Sequence, residues 1–293
     1  MNTIVNQAND VAVPTRDRSR AFGSILVEHG RLTPADAEEI QRYAGAHGLR
    51  FGEAALKLKL LTQQDIDFAV AQQFNYPILP RGGQGGVADD VVAAYHPQSE
   101  SIEPLRALRS QLTLRWFNDA SHKTVAITSP GRREGRSWLA ANLAAVFAQI
   151  GERTLLIDAD MRHPRQHELF NLSNAVGLSA LLTGRAGKET ACRVHPHLRL
   201  FVLPAGPLPP NPQELLGHIS FGYLMETSPT KYDVVIVDAP PMLECADAQL
   251  IAARAGGVVL ATKRHRTRLA DAIRVKSQLE PAGAVLLGAV IDE

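Results

Sequence analysis

The strongest constraint on this chain is a rhythm. From about residue 100 onward, short apolar runs alternate with longer stretches of helical character, the runs falling at 124–128, 153–159, 198–203, 233–238, 256–262 and 284–291. Strands alternating with helices in this way predict an α/β domain built on a doubly wound, mostly parallel sheet. In such sheets ligands collect at the carboxyl ends of the strands. The residues that close each run are therefore the first place to look for chemistry.

The run 124–128 leads into Thr128-Ser129-Pro130-Gly131-Arg132-Arg133-Glu134-Gly135-Arg136-Ser137-Trp138, and an apolar helical stretch to Ile150 leads out. A strand, a glycine-containing loop and a helix start in that order match a phosphate-binding loop, whose backbone N–H groups and helix N-terminus face the anion. Residues Gly131, Arg132, Arg133, Glu134, Gly135, Arg136, Ser137 and Trp138 are the candidate nucleotide contacts. Arg136 stands where such loops carry lysine and is placed to reach the β- and γ-phosphates, while Ser137 is placed to ligate Mg²⁺. Pro130 occupies the place of the usual first glycine, so Gly131 is expected to make the tight turn. Taken alone, the pattern reads equally well as a Gly/Arg-rich surface turn.

Two more runs end in acids. Leu155-Leu156-Ile157-Asp158-Ala159-Asp160 delivers two carboxylates to one strand end, and Val234-Val235-Ile236-Val237-Asp238 delivers a third. Carboxylates there can hold Mg²⁺ or its water and take a proton from a nucleophile. Asp158 and Asp160, with Arg136, are the candidate catalytic residues; Ser137, Asp158 and Asp238 are the candidate metal ligands.

Ahead of the alternating region lies a helical stretch, 20–80, with an internal repeat. Gly23, Leu32, Thr33 and Asp36 recur 29 positions later as Gly52, Leu61, Thr62 and Asp65. In each copy a threonine followed three residues on by aspartate predicts a capped helix start. Two copies are too few for a solenoid and predict a compact module. Residues 1–19 read as a disordered leader, and 81–97, opening on Arg81-Gly82-Gly83-Gln84-Gly85-Gly86, as a linker to a domain over 98–293.

Over all 293 residues, 31 basic and 30 acidic side chains leave a formal charge of +1, which gives no footprint for nucleic acid. Two cysteines without ligand spacing fit a reducing compartment. No apolar stretch approaches the roughly 18 residues of a membrane span, so a cytoplasmic protein, reaching a membrane through a partner, is expected.

The phosphate loop, Asp158-Ala159-Asp160-Met161-Arg162, the segment Pro204 to Leu216 and Val237-Asp238-Ala239-Pro240-Pro241 together resemble the bacterial tyrosine kinases, relatives of the MinD/ParA partition ATPases. Val176 to Gly184 fits that family as well. The likeness covers about 98–293 and is nearest the EpsG-type kinases of exopolysaccharide gene clusters. It implies Mg²⁺ and ATP as cofactors, protein tyrosine as acceptor, and a membrane chain-length determinant (polysaccharide co-polymerase) protein as partner at the inner membrane. Glu103, Arg106 and Arg109, at helical spacing, look like the family's assembly motif and imply a homo-oligomer; a solvated charged face is the plain alternative.

Two departures from the family pattern bear on activity. Arginine is a planar fork where the family has a compact point charge, and the two are not interchangeable against a close-packed phosphate. The family's tyrosine-rich tail has no counterpart in Ala289-Val290-Ile291-Asp292-Glu293, and the five tyrosines stop at Tyr232, so tail autophosphorylation is not expected. The helical module resembles the N-terminal (MshEN-like) domain of type II secretion and pilus ATPases, some of which bind cyclic di-GMP. That likeness implies Arg50, Gly52 and Gln73 as ligand contacts, although Lys59 replaces the motif's second glycine and the first copy has Ala21 and Ala44 at the arginine and glutamine positions. A plain docking module is the alternative there. For the whole chain, a Mg–ATP-dependent protein-tyrosine kinase or ATPase stands against a catalytically weak, nucleotide-dependent regulatory scaffold.

Overall fold

The computed structural model describes residues 18–73, 77–79, 86–96, 99–187, 190–196 and 198–293. The leader expected over 1–19 lies, up to residue 17, outside the described residues, as do 81–85 and 97 of the expected linker. The chain forms two compact units, Met1–Tyr76 and Pro77–Glu293.

The first unit holds four helices: α1 (Arg18–Glu28), α2 (Pro34–His47), α3 (Phe51–Lys57) and α4 (Gln63–Gln73). The repeat is visible in how they start. The Thr33 hydroxyl accepts from the Asp36 N–H at 3.2 Å and donates to its carboxylate at 2.6 Å, and Thr62 does the same with Asp65 at 3.3 and 2.6 Å. Such caps satisfy N–H groups that a helix start leaves without partners. Residues 29 apart are buried alike: Leu26 with Ala55, Leu32 with Leu61, Ile40 with Ala69. The turns match as well, since Gly30 (φ 66°) and Lys59 (φ 57°) both take the left-handed conformation. Only the first has the residue that this conformation favours.

The second unit is a seven-stranded sheet: β1 (Thr124–Thr128), β2 (Thr154–Asp158), β3 (Cys192–His195), β4 (Leu198–Leu203), β5 (Val234–Asp238), β6 (Gly257–Lys263) and β7 (Val285–Asp292), in the order β3-β4-β2-β5-β1-β6-β7. Every pairing is parallel except β3 with β4. The six strands expected from the sequence are present, and β3 is an addition. Its sequence, Cys-Arg-Val-His, is short, polar and half exposed, so it carries no strand signal of its own; the neighbouring edge of β4 creates it.

Strands β1, β2 and β5 are buried at every residue, which requires cover on both faces. On one face lies α7 (Arg136–Gln149), apolar all round and almost wholly buried, with α5 (Val92–Tyr95) and α6 (Glu103–Leu112) packed in the same core. The other face is covered by α9 (Leu178–Leu182), α10 (Pro212–Gly217), α11 (Ile219–Lys231), α12 (Asp247–Ala255) and α13 (Leu269–Leu279).

The expected linker is corrected over its second half. Val87, Val91, Ala93, Ala94 and Tyr95 are buried in the core around α7. The Asn142 side chain accepts from the Ala93 N–H at 2.9 Å and donates to the Asp90 carbonyl at 3.0 Å, and Gln149 donates to the Ala93 carbonyl at 2.6 Å. The glycine-rich opening masks an apolar segment that the sheet unit needs as cover. The unit boundary accordingly falls before Pro77, not after residue 80.

Candidate active site

The site begins with register. Asp158 and Asp238 are direct partners in the β2–β5 ladder, and Ile127 of β1 is paired with Asp238. Parallel neighbours lie about 4.8 Å apart, so two carboxylates are set side by side at the carboxyl edge, beside the loop that leaves β1. Both are fully buried. Burial pushes the Asp158 carboxyl well above the usual carboxylate range, and the neighbouring Asp238 charge adds to it. Burial also raises Asp238, against the opposing pull of the Arg136 guanidinium and hydrogen bonds from Gln166 and Ser137.

The loop between β1 and α7 turns at Arg133 (φ 60°) and Gly135 (φ 82°), which take the left-handed conformation. Gly131, expected to make the turn, has no positive φ; its N–H instead donates to the Glu134 carboxylate at 2.6 Å. Glu134 is buried, and its other oxygen accepts from the Thr267 hydroxyl. Its side chain therefore braces the loop from within. The 14-residue helix α7 starts at Arg136, and its N-terminus faces a cleft of about 780 Å³ lined by Arg132, Arg133, Gly135, Arg136, Ser137 and Trp138. Six of the eight expected contacts thus share one cavity. Asp90, His163, Arg165, Lys263 and Asp292 line it too.

Arg136 is 8% exposed and turned into the site. It donates through Nε to the Ala239 carbonyl at 3.0 Å and through Nη2 to the Asp160 carboxylate, and Nε is 4.0 Å from Asp238 Oδ1. Asp160 also accepts from the His163 N–H at 3.0 Å, so both its oxygens are engaged. Asp158 differs: Oδ2 accepts from the N–H groups of Arg165 and Gln166 at 3.0 and 2.9 Å, while Oδ1 is buried without a partner. Asp238 likewise engages Oδ2 with Gln166 Nε2 at 2.7 Å, while Oδ1 is buried with no hydrogen bond of its own and has only the longer ion pair to Arg136. Bare buried acceptor oxygens are costly unless something donates or coordinates there. Two such oxygens beside the Ser137 hydroxyl suit Mg²⁺, which binds through one or two carboxylates plus water and phosphate rather than in a full protein cage. Among the described residues there is no group of three or more His, Cys, Asp or Glu that could hold a metal ion.

Gln166 and Glu134 were not legible as structural parts of the site. Gln166 follows the Asp160 segment in α8 (Gln166–Leu169), and nothing in its spacing marks it. The segments Val176–Gly184 and Pro204–Leu216 do come together: Leu178 and Ser179 N–H groups donate to the Pro204 and Ala205 carbonyls at 2.7 and 2.9 Å. A side chain on Gly177 would meet the Pro204 carbonyl at 2.3 Å, so only glycine permits this approach.

The remaining candidates lie elsewhere. Glu103, Arg106 and Arg109 share α6, where Arg106 pairs with Glu103 at 3.1 Å and Arg109 donates to the Val146 carbonyl of α7 at 3.2 Å. Arg109 is thus partly committed to holding its own domain together. In the first unit, Arg50, Gly52 and Gln73 line one cleft of about 1230 Å³ with Phe22, Phe51 and Gln41. No helix of the described residues is long and apolar enough to cross a membrane.

No protein-family model matches the chain. It is 40% identical over 203 residues to the tyrosine-protein kinase YwqD of Bacillus subtilis, covering 69% of this chain and 85% of that one. It is 39% identical over 196 residues to the putative tyrosine-protein kinase EpsB of Ralstonia solanacearum, of which it spans 26%. The solved kinase domain of the Escherichia coli tyrosine kinase ETK superposes with a TM-score of 0.65 at 31% identity, covering 69% of this chain and 79% of that domain.

Proposed function

The chain belongs to the bacterial tyrosine-protein kinases, and on that premise we propose that its cleft binds Mg–ATP and passes the γ-phosphoryl group to a protein tyrosine. The observation that carries the reading is the pairing of Asp158 with Asp238 beneath the phosphate loop, each with one buried oxygen that makes no hydrogen bond. In the transfer, the tyrosine oxygen bonds to the γ-phosphorus as the bond from phosphorus to the β–γ bridging oxygen breaks. ADP leaves, and the phenolic proton passes to a carboxylate. Asp158 and Asp160, at the end of β2, are the carboxylates offered for that proton. Ser137, Asp158 and Asp238 would hold the Mg²⁺, whose charge would offset that of the phosphates. Arg136 exchanges its bond to Asp160 for the β- and γ-phosphates, one anion for another.

The biological setting follows from the same premise: a cytoplasmic kinase at the inner membrane that regulates exopolysaccharide chain length or export with a membrane chain-length determinant protein. Self-assembly through Glu103, Arg106 and Arg109 belongs to that proposal. The test is incubation with radiolabelled ATP and Mg²⁺, alone and with the cytoplasmic segment of such a partner. Wild type is expected to yield ADP and phosphotyrosine, and Asp158→Ala to lose about 10²- to 10⁴-fold in rate. ATP binding without turnover, with turnover gained by Arg136→Lys, would replace the kinase with a nucleotide-dependent scaffold.

A second reading concerns the N-terminal unit. The shared cleft of Arg50, Gly52 and Gln73, with Phe22 and Phe51 beside them, favours a planar anionic ligand, cyclic di-GMP, whose phosphates an arginine can pair and whose bases aromatic rings can stack against. Calorimetry of the full chain with cyclic di-GMP checks it; no heat at high micromolar ligand leaves a docking module.

A further inference from the structure

Gln166 is fully buried, and it ties the three parts of the site together. Its side-chain amide has two N–H donors. One goes to Asp238 Oδ2 at 2.7 Å and the other to the Ser137 carbonyl at 3.0 Å, while its backbone N–H donates to Asp158 Oδ2 at 2.9 Å. The end of β2, the end of β5 and the first turn of α7 are thereby held by one residue. The consequence lies in what is left over. Asp158 Oδ1, Asp238 Oδ1 and Gln166 Oε1 are buried and make no hydrogen bond, and of the three Asp238 Oδ1 has the Arg136 guanidinium 4.0 Å away. All three are oxygens with lone pairs to offer. Oxygens with lone pairs to offer are the complement of a cation and its water shell, since coordinated water offers only protons outward. Orphaned acceptors in a dry interior would otherwise cost about 1–3 kcal/mol each.

We propose that Gln166 is the positioning residue of the cation site: its two N–H donors fix Asp238 and the Ser137 turn so that one oxygen of each aspartate stays open, and its Oε1 accepts from a water on the bound Mg²⁺. This rests on the Mg–nucleotide reading above. The residue type is specific to the task. Glutamate would lose both donors and set a third negative charge against Asp238, and asparagine is one methylene too short to span from α8 to both partners. Outer-shell groups of this kind are worth about 10- to 100-fold in metal affinity.

The test is the dissociation constant of ADP for the full-length chain, measured by calorimetry in Mg²⁺ and again in EDTA, for wild type, Gln166→Met and Gln166→Asn. Thermal unfolding identifies which variants are folded. In wild type Mg²⁺ strengthens binding. Either folded variant is expected to lose about tenfold or more of that Mg²⁺-dependent gain, a larger loss than any change of its affinity in EDTA. A gain from Mg²⁺ that survives in a folded variant overturns the proposal. So does an equal loss with and without Mg²⁺, which is the mark of a merely structural residue. Failure of the wild-type chain to bind ADP in either condition would instead overturn the nucleotide reading itself, and the proposal with it.

Discussion

In the N-terminal unit, residues 29 positions apart do the same job twice; in the sheet unit, residues 103 positions apart, Arg136 and Ala239, are needed to do one job once. The helical repeat is assembled from parts that work within a single turn: Thr33 with Asp36, Thr62 with Asp65. A fault in one copy, such as Lys59 where the other has Gly30, stays in that copy. In the candidate site the groups come from distant segments, so Asp238 answers at once to Gln166 of α8, Arg136 of α7 and Asp158 of β2. Repetition localises error, whereas a convergent site shares it.

The contrast can be tested in order of effect. Leu26 is fully buried in the core of the N-terminal unit, and Leu26→Ala is expected to destabilise that unit by about 2–5 kcal/mol. Denaturant unfolding should show the loss, with ADP affinity of the full chain unchanged. A weakened ADP affinity would break the separation drawn between the units.

Next are the paired left-handed positions. Gly30→Ala forces a side chain into a conformation that costs roughly 1–2 kcal/mol, and Lys59→Gly relieves the same strain. The two substitutions should therefore shift the unfolding midpoint of the unit in opposite directions. Shifts of the same sign would mean that the two copies are not equivalent.

The smallest effect is on pH. Burial alone would raise the Asp65 carboxyl, but hydrogen bonds from Thr62 and Arg31 outweigh it and hold the pKa below its ordinary value. A lowered folded-state pKa means stability that is present above the unfolded value, near 3.9, and lost as pH falls through the folded one. Because the Arg31–Asp65 pair, at 2.7 Å, is partly exposed, the loss should be no more than about 1 kcal/mol. Comparing acid unfolding of wild type with Asp65→Asn reads it: the variant should lack this part of the decline between about pH 5 and pH 3.

Where strands run buried on both faces, as at 124–128 and 233–238, their apolar composition was enough to place them. The caps at Thr33 and Thr62 were equally readable, because a cap is a contact between residues three apart. The strand at Cys192–His195 was not, since its pairing depends on an edge offered by Leu198–Leu203 rather than on its own side chains. Nor was the packing of Val87 to Tyr95 against α7, whose anchors Asn142 and Gln149 lie 49 and 56 positions downstream. In the site, the aspartates and the loop could be named from their order, but the bracing by the Glu134 side chain could not. A carboxylate in a phosphate loop can face either side of the backbone, and only its partners, Gly131 and Thr267, decide which.

The sequence by itself therefore determined which chemistry this protein carries: a phosphate loop, and three aspartates at strand ends in a mostly parallel sheet. Local composition suffices for that, because strand, turn and cap preferences act over a few residues. Only the tertiary structure decided how those groups are used. It turned Arg136 onto Asp160, set Asp158 beside Asp238, and spent one oxygen of each on the Arg165–Gln166 turn and the Gln166 amide while leaving the other bare. The reason is register. Which oxygen of a buried carboxylate remains free depends on the alignment of strands and helices far apart in the chain, and no short-range preference encodes that alignment.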